Sequence, residues 1–440
     1  MSSLLSIFYG CRWLVLVLLA FSFLYAFKLP VVGNSAYIAF VLLAIFVFLS
    51  SQSFSNALYL FKEPIVIFIL FSFIMIAALA VAVTSFHNVY DYSIVTSLIN
   101  NLLSVIGVIF LVSILHGRHE KSVIDLFVTL LLIQSVIIIA MLVLPSLREL
   151  IQGMIRSESE MARLSGYAGV RGLGLSGSIA FGLAVTMGTL VFFLHYWLAY
   201  YQRNKSSIMT FCILSLALLA SLSAGRTAVL GFLVGLIFYP MVYSIPRYFL
   251  QSFKQVLTIA IGVALLLIYI FNNEALYQVA YRYSLYVFQF MWNYLDSGSF
   301  SVSSLETLEQ MYFIPDDDVW LFGTGHYTSA DGSYYMNTDA GYMRFLLFFG
   351  AIGSAFIYIL FVTLTFLLYL KTRHHIKGAF ILSVLLIVMA FIFHYKGEVV
   401  MYNVPFMKLY FALFFYYMLY DKPSIHTTTS KVLVSEDKHA

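Results

Sequence analysis

Asp339 and Tyr342 stand three residues apart where a polar, tyrosine-rich segment from Trp320 runs without a break into a long apolar stretch. On a helix these two share a face, and Arg344 points well away from both. Asp339 has two readings: an N-cap that accepts from the free N–H groups of the first turn, or a general base beside an acceptor hydroxyl in a dry site. His326, in Gly323-Thr-Gly-His-Tyr327, is the other residue able to move a proton, though a lone loop histidine is more often a bystander. Asp316-Asp-Asp318 has the D-x-D form of a metal-binding carboxylate pair, but a solvated acidic turn accounts for it more simply. No Cys/His spacing for zinc occurs, and neither metal nor cofactor is expected.

Arginines supply a second kind of chemistry. The guanidinium fork binds phosphate oxygens in pairs and keeps its charge under all conditions. Arg226 lies in Ser223-Ala-Gly-Arg-Thr227, a turn between two apolar runs. The run after it begins with a partially positive helix terminus, where a cation is disfavoured by roughly 0.3–1 kcal/mol. Something negative is expected beside it, unless Arg226 only snorkels to lipid phosphates or pairs with a carboxylate. Arg163 and Arg171 lie in a glycine-rich stretch that runs on to Gly177, in which Gly172, Gly174 and Gly177 spell G-x-G-x-x-G. No strand precedes it, so a dinucleotide fold is not indicated. Glycines at a helix start still allow backbone N–H groups to approach a phosphate, and close helix contact through small residues is the competing reading.

The elements that must hold these residues are membrane helices. The chain is 62% hydrophobic and only 10% charged, against roughly 25% charged in a soluble domain. Its mean hydropathy is +0.94. About twelve apolar runs are long enough to approach or cross a hydrocarbon core about 30 Å thick. They lie near Trp13–Phe27, Ala36–Ser50, Pro64–Thr84, Ile94–Leu115, Val123–Leu144, Leu173–Tyr200, Ile208–Leu222, Ala228–Ile245, Gln255–Phe271, Ala340–Leu370, Gly378–His394 and Phe406–Tyr420. The fold class expected is an all-α polytopic membrane protein, one integral domain over 1–420. A polar tail over 421–440 is expected to be disordered.

Lysines and arginines orient it, because basic loops stay cytoplasmic. Arg118 and Lys121, Arg203 and Lys205, Arg247 and Lys254, and Lys371, Arg373 and Lys377 fall in alternate loops. Both termini are then cytoplasmic, and Cys11 and Cys212 lie near cytoplasmic helix ends, where no disulfide is expected. Two long loops, 145–172 and 272–338, face outward. Loops of such length are usually functional or disordered. The aromatic content of the second argues for a folded cap, with amphipathic helices across Leu276–Trp292. The basic residues left outside are mostly arginine: Arg148, Arg156, Arg163, Arg171, Arg226, Arg282 and Arg344, against Lys28, Lys396 and Lys408. An anionic ligand is implied.

These motifs and this layout resemble the O-antigen and capsular polysaccharide polymerases of the Wzy type, which share a superfamily with the O-antigen ligases. Arg163-x-x-Gly166 or Arg171-x-x-Gly174 is similar to the family's arginine-glycine motif in the first outer loop. Ser223–Leu230 resembles its Ser-Arg-Thr turn, with a glycine here before the arginine. Phe322-Gly-Thr-Gly325, Asp339-x-x-Tyr342 and Gly350-x-x-Gly353 are similar to its glycine-led loop and the helix that follows. The resemblance implies a GT-C-like, metal-independent glycosyltransferase in the bacterial inner membrane, working at its periplasmic face. Donor and acceptor would both be undecaprenyl-diphosphate-linked oligosaccharides, with a flippase and a chain-length regulator as further partners and no nucleic acid. Arg226 with Arg163 or Arg171 would neutralise the departing diphosphate, and Asp339 or His326 would activate the acceptor. Tyr342, Arg344, Arg282, Gly172 and Gly174 would contact substrate.

Two alternatives compete. O-antigen ligases carry a histidine where this chain has Asp339, which favours the polymerase. A lipid-linked oligosaccharide flippase would keep charged or broken-helix sites near the midplane, whereas Asn100, Asn101 and Gln134 within the runs are neutral.

Overall fold

Continuous apolar runs can satisfy their backbone in lipid only as helices, and helices are what the computed structural model shows. It describes residues 2–30, 33–116, 121–165, 170–201, 207–242, 272–298 and 303–423. The run expected near Gln255–Phe271, and the tail from residue 424 on, lie outside the described residues. Helices α1 (Ser2–Tyr25), α2 (Ser35–Phe48), α3 (Ser51–Lys62), α4 (Pro64–Phe86), α5 (Ser93–Leu115) and α6 (Val123–Val143) come first. Next are α7 (Pro145–Ile155), α8 (Glu158–Ser165), α9 (Phe181–Tyr200), α10 (Ser207–Ala224), α11 (Val229–Gly235) and α12 (Phe238–Val242). After residue 272 follow α13 (Glu274–Val287), α14 (Gln289–Ser297), α15 (Ser303–Gln310), α16 (Asp317–Phe322), α17 (Gly341–Thr372), α18 (Ala379–Lys396) and α19 (Val404–Met418). The one sheet among the described residues is a two-residue pairing of Lys28–Leu29 with Gly33–Asn34.

Six of these helices, α4, α5, α6, α9, α17 and α18, are long and apolar enough to cross a membrane. A seventh crossing results if α2 and α3 count as one bent unit, with 108° between them. Among the described residues, the other apolar runs depart from straight full-length helices in local ways. The Leu173–Tyr200 run is helical only from Phe181, because 170–180 is irregular. The Ala228–Ile245 run breaks between α11 and α12. The 15 residues of α19 rise only about 22 Å. Ser50 ends α2's direction by accepting from the Ser53 N–H at 3.2 Å, capping α3 instead.

The most enclosed of the six is α9, with 89% of its apolar window buried. It crosses α11 so closely that a Cβ on Gly231 would stand 2.0 Å from the Gly188 carbonyl oxygen. Helices α5 and α19 run parallel. Asn101 donates to the Tyr402 carbonyl at 2.9 Å near their starts, and His116 meets the Tyr416 and Tyr420 rings near their ends. Gln134 donates to the Leu175 carbonyl at 3.3 Å. The neutral polar residues of the apolar runs thus hold connecting backbone in place.

Charges sort to the two ends. At one, Lys371 pairs with Glu63 at 3.1 Å, Asp421 meets His375 at 2.6 Å, and Lys422 reaches Ser55 and Asn56. Arg344 begins the helix that Lys371 ends, so it lies at the opposite end. At that end α17 is discontinuous. Gly350 has φ 68° and ψ 178°, a conformation open essentially to glycine alone. The break frees the Leu347 and Phe348 carbonyls, which accept from the Thr324 N–H at 2.7 Å and the Gly325 N–H at 3.3 Å. A Cβ on Gly323 or on Gly350 would each stand 2.2 Å from the facing carbonyl oxygen. The Phe322-Gly-Thr-Gly325 motif is thereby the backbone complement of the Gly350 break.

Candidate functional site

Two hydrogen bonds bring the separate arginine motifs together. The Gly172 N–H donates to the Ser223 carbonyl at 2.9 Å, and the Ser223 hydroxyl donates to the Val170 carbonyl at 2.6 Å. Arg171 is thus zipped to the turn that carries Arg226. That turn is a short 3-10 helix, Arg226–Ala228, pressed against α9, where a Cβ on Gly225 would lie 2.9 Å from the Ala184 Cβ. Arg226 Nη1 donates to Gln289 Oε1 at 2.9 Å, and its guanidinium lies 5.2 Å from the Tyr286 ring centre. Helices α13 and α14, from the second long loop, therefore reach over this arginine.

Lys396, the last residue of α18, completes the group. The charges of Arg226, Arg171 and Asp339 all act on its ammonium. Arg226, Arg171 and Asp339, from three other parts of the chain, thus all lie within electrostatic range of Lys396. Gathering like charges costs energy unless an anion, or the one carboxylate, offsets it.

Asp339 is exposed and precedes the N-cap, which is Ala340 with no side-chain cap bond. The capping role expected for Asp339 is therefore not the one it has. Tyr342 packs on α18, donating to the Phe391 carbonyl at 3.1 Å with its ring edge-on to Tyr358 and His394. Arg344 turns inward. It is 5% exposed, 3.2 Å from Glu398 Oε1, and sandwiched between the Tyr327 and Tyr334 rings at 3.9 and 4.2 Å. Arg344, expected to contact substrate, here clamps the loop through Glu398, Tyr327 and Tyr334. Arg282 is exposed on α13 and donates to the Gln278 carbonyl of its own helix. Arg163 lies in α8, its side chain outside the described residues.

The glycines follow the close-contact reading. The Gly172 N–H is committed to Ser223, and a Cβ on Gly174 would meet the Gln134 amide at 2.7 Å. Arg156, buried, donates to the Gly177 and Ser178 carbonyls at 3.4 Å each, and burial lowers its pKa below the usual guanidinium value. Asp316–Asp318 form the N-terminal turn of α16, where negative charge is favoured. His326 stacks on Tyr335 at 5.0 Å in the wall of a cleft of about 650 Å³.

Two carboxylates anchor the loop between α16 and α17. Asp91 accepts from the Tyr327 and Thr328 N–H groups at 2.8 and 2.6 Å and from both Ser93 donors. Burial pushes its pKa up, but these hydrogen bonds outweigh it and hold the value at about 2. Glu398 accepts from the Tyr327 hydroxyl at 2.6 Å. Burial raises its pKa, and Arg344 and Tyr327 only partly counter that.

Of the residues not assigned to the site from sequence, Lys396 had a signal, as one of the few lysines expected to face outward. Glu398 follows it by two positions in an apolar neighbourhood. Asp91, Tyr286 and Gln289 had none. The chain matches no family model, no curated protein and no solved structure.

Proposed function

We propose that this protein is a bacterial surface-polysaccharide polymerase, transferring a growing glycan from its polyprenyl diphosphate onto a lipid-linked repeat unit. The reading places about twelve spans in the inner membrane, both termini in the cytoplasm, and the arginine end outside. The observation that carries it is the convergence of Arg171, Arg226 and Lys396 beside Asp339. An acceptor hydroxyl oxygen attacks the anomeric carbon while the bond from that carbon to the diphosphate oxygen breaks. The electron pair leaves with the diphosphate, and the hydroxyl proton passes to the Asp339 carboxylate. Cations fixed before the reaction stabilise charge as it develops on the leaving group.

Purified full-length protein in nanodiscs, given lipid-linked repeat units and no core acceptor, tests the reading. A ladder of products is expected, and its rate should fall by roughly 10²- to 10³-fold in Arg226→Ala, the size of losing one preorganised donor. Absence of extension by the wild type, with extension restored by a lipid A-core acceptor, would instead indicate a ligase. Undiminished rates in Arg226→Ala and Lys396→Ala would remove the cationic group from the mechanism.

A further inference from the structure

The cleft beside His326 has none of the cations in its lining and differs from them in chemistry. Its walls are Phe86 and His87 from the end of α4, Asp318 and Phe322 from α16, and the stacked His326 and Tyr335. Neither lysine nor arginine lines it, and Asp318 adds a carboxylate, so a diphosphate is disfavoured there. The volume of about 650 Å³ suits an organic ligand. Phe86 and Phe322 are exposed, at 75% and 52%. The Phe86 and His87 rings meet edge-on at 5.0 Å, and among the described residues His87 Nε2 has no hydrogen-bond partner. Flat aromatic faces ringed by a carboxylate and imidazoles complement a pyranose, which has an apolar C–H face and a rim of hydroxyls.

The floor is rigid. Gly323 and Thr324 also line the cleft, and they are docked on α17 through the bonds to Leu347 and Phe348. The inner wall adjoins the reaction centre, because Tyr335 and Val319 pack on the cluster of Ala340, Met343 and Leu347. Ala340 is the residue after Asp339.

We infer that this cleft is a carbohydrate subsite that holds the sugar of the acceptor repeat unit next to Asp339. The inference rests on the glycosyltransferase reading, and the two can fail separately. The probe is the oligosaccharide repeat unit released from its lipid by mild acid, carrying no phosphate, titrated onto full-length protein in nanodiscs. Sugar-free undecaprenyl diphosphate is titrated in parallel. Wild type should bind both. Tyr335→Ala and His87→Ala should each weaken the oligosaccharide roughly tenfold and leave undecaprenyl diphosphate unchanged. Asp318→Asn, which keeps the side chain's shape, should show the same pattern and guards against misfolding. No oligosaccharide binding by wild type, or oligosaccharide binding by all three variants as tight as by wild type, overturns the inference. If the cleft variants respond but Arg226→Ala binds undecaprenyl diphosphate as wild type does, the subsite stands and the diphosphate reading fails.

Discussion

Removing either partner of the Arg344–Glu398 pair should destabilise the protein far more than removing both. The two groups are 3.2 Å apart, with side chains 4% and 16% exposed. Deleting one member of a buried pair strands the other charge, at a cost of about 3–5 kcal/mol. Arg344→Met belongs at the upper end, since it also removes guanidinium stacking on two tyrosines, each about 0.5–2 kcal/mol. Glu398→Gln belongs at the lower end, because an amide oxygen can still accept from Tyr327. The double variant leaves no charge to strand, so a coupling of about 2–3 kcal/mol should return. Denaturant unfolding of the four proteins in one detergent measures this cycle, and product ladders run in parallel. The raised pKa of Glu398 adds a sign. Its stability contribution is complete below the ordinary 4.5 and is lost as pH rises through the folded value, and the loss should grow in Arg344→Met. Additive single costs would refute the buried-pair argument. An inactive Arg344→Met of wild-type stability would return Arg344 to substrate contact.

The remaining predictions concern the site and its supports. Asp339→Asn should reduce polymer to a single repeat unit at normal protein level, and unchanged ladders would remove Asp339 as the base. Gly350→Ala should lower the unfolding free energy by more than the roughly 1–3 kcal/mol of its backbone conformation, because its Cβ meets the Leu321 carbonyl oxygen at 2.2 Å. Gly298→Ala, also at positive φ but with nothing within 4 Å, should cost only the conformational part; equal losses at both would refute the docking. Asp91, held at about 2, contributes stability present above 3.8 and lost as pH falls toward 2. Asp91→Asn should therefore speed hydrogen exchange at the Tyr327 and Thr328 amides at neutral pH, and unaltered exchange would show that these amides do not depend on the carboxylate.

Helical character and apolar spans were legible residue by residue, since hydrophobicity and backbone satisfaction in lipid are local properties. Helix bounds were less legible: the 170–180 stretch is apolar enough to look helical, yet its glycines are used for close contact and Arg156 holds the carbonyls of Gly177 and Ser178. Arg171 and Arg226 stood out because the orientation rule, applied to the sequence, leaves them on the side where basic residues are not expected. Their pairing did not, since it depends on the Ser223 carbonyl and hydroxyl reaching residues 170–172, a contact across more than 50 positions.

Composition and order alone determine that this chain is a helical membrane protein with stranded cations and a glycine-led loop before a long helix. Tertiary structure divides those cations into two kinds. Arg171, Arg226 and Lys396 share one electrostatic environment with Asp339, whereas Arg344 is neutralised by Glu398 inside the protein. Equal charge in a sequence becomes unequal function in a fold because the energy of a cation depends on burial and on the nearest anion, and neither is a property of its neighbours along the chain.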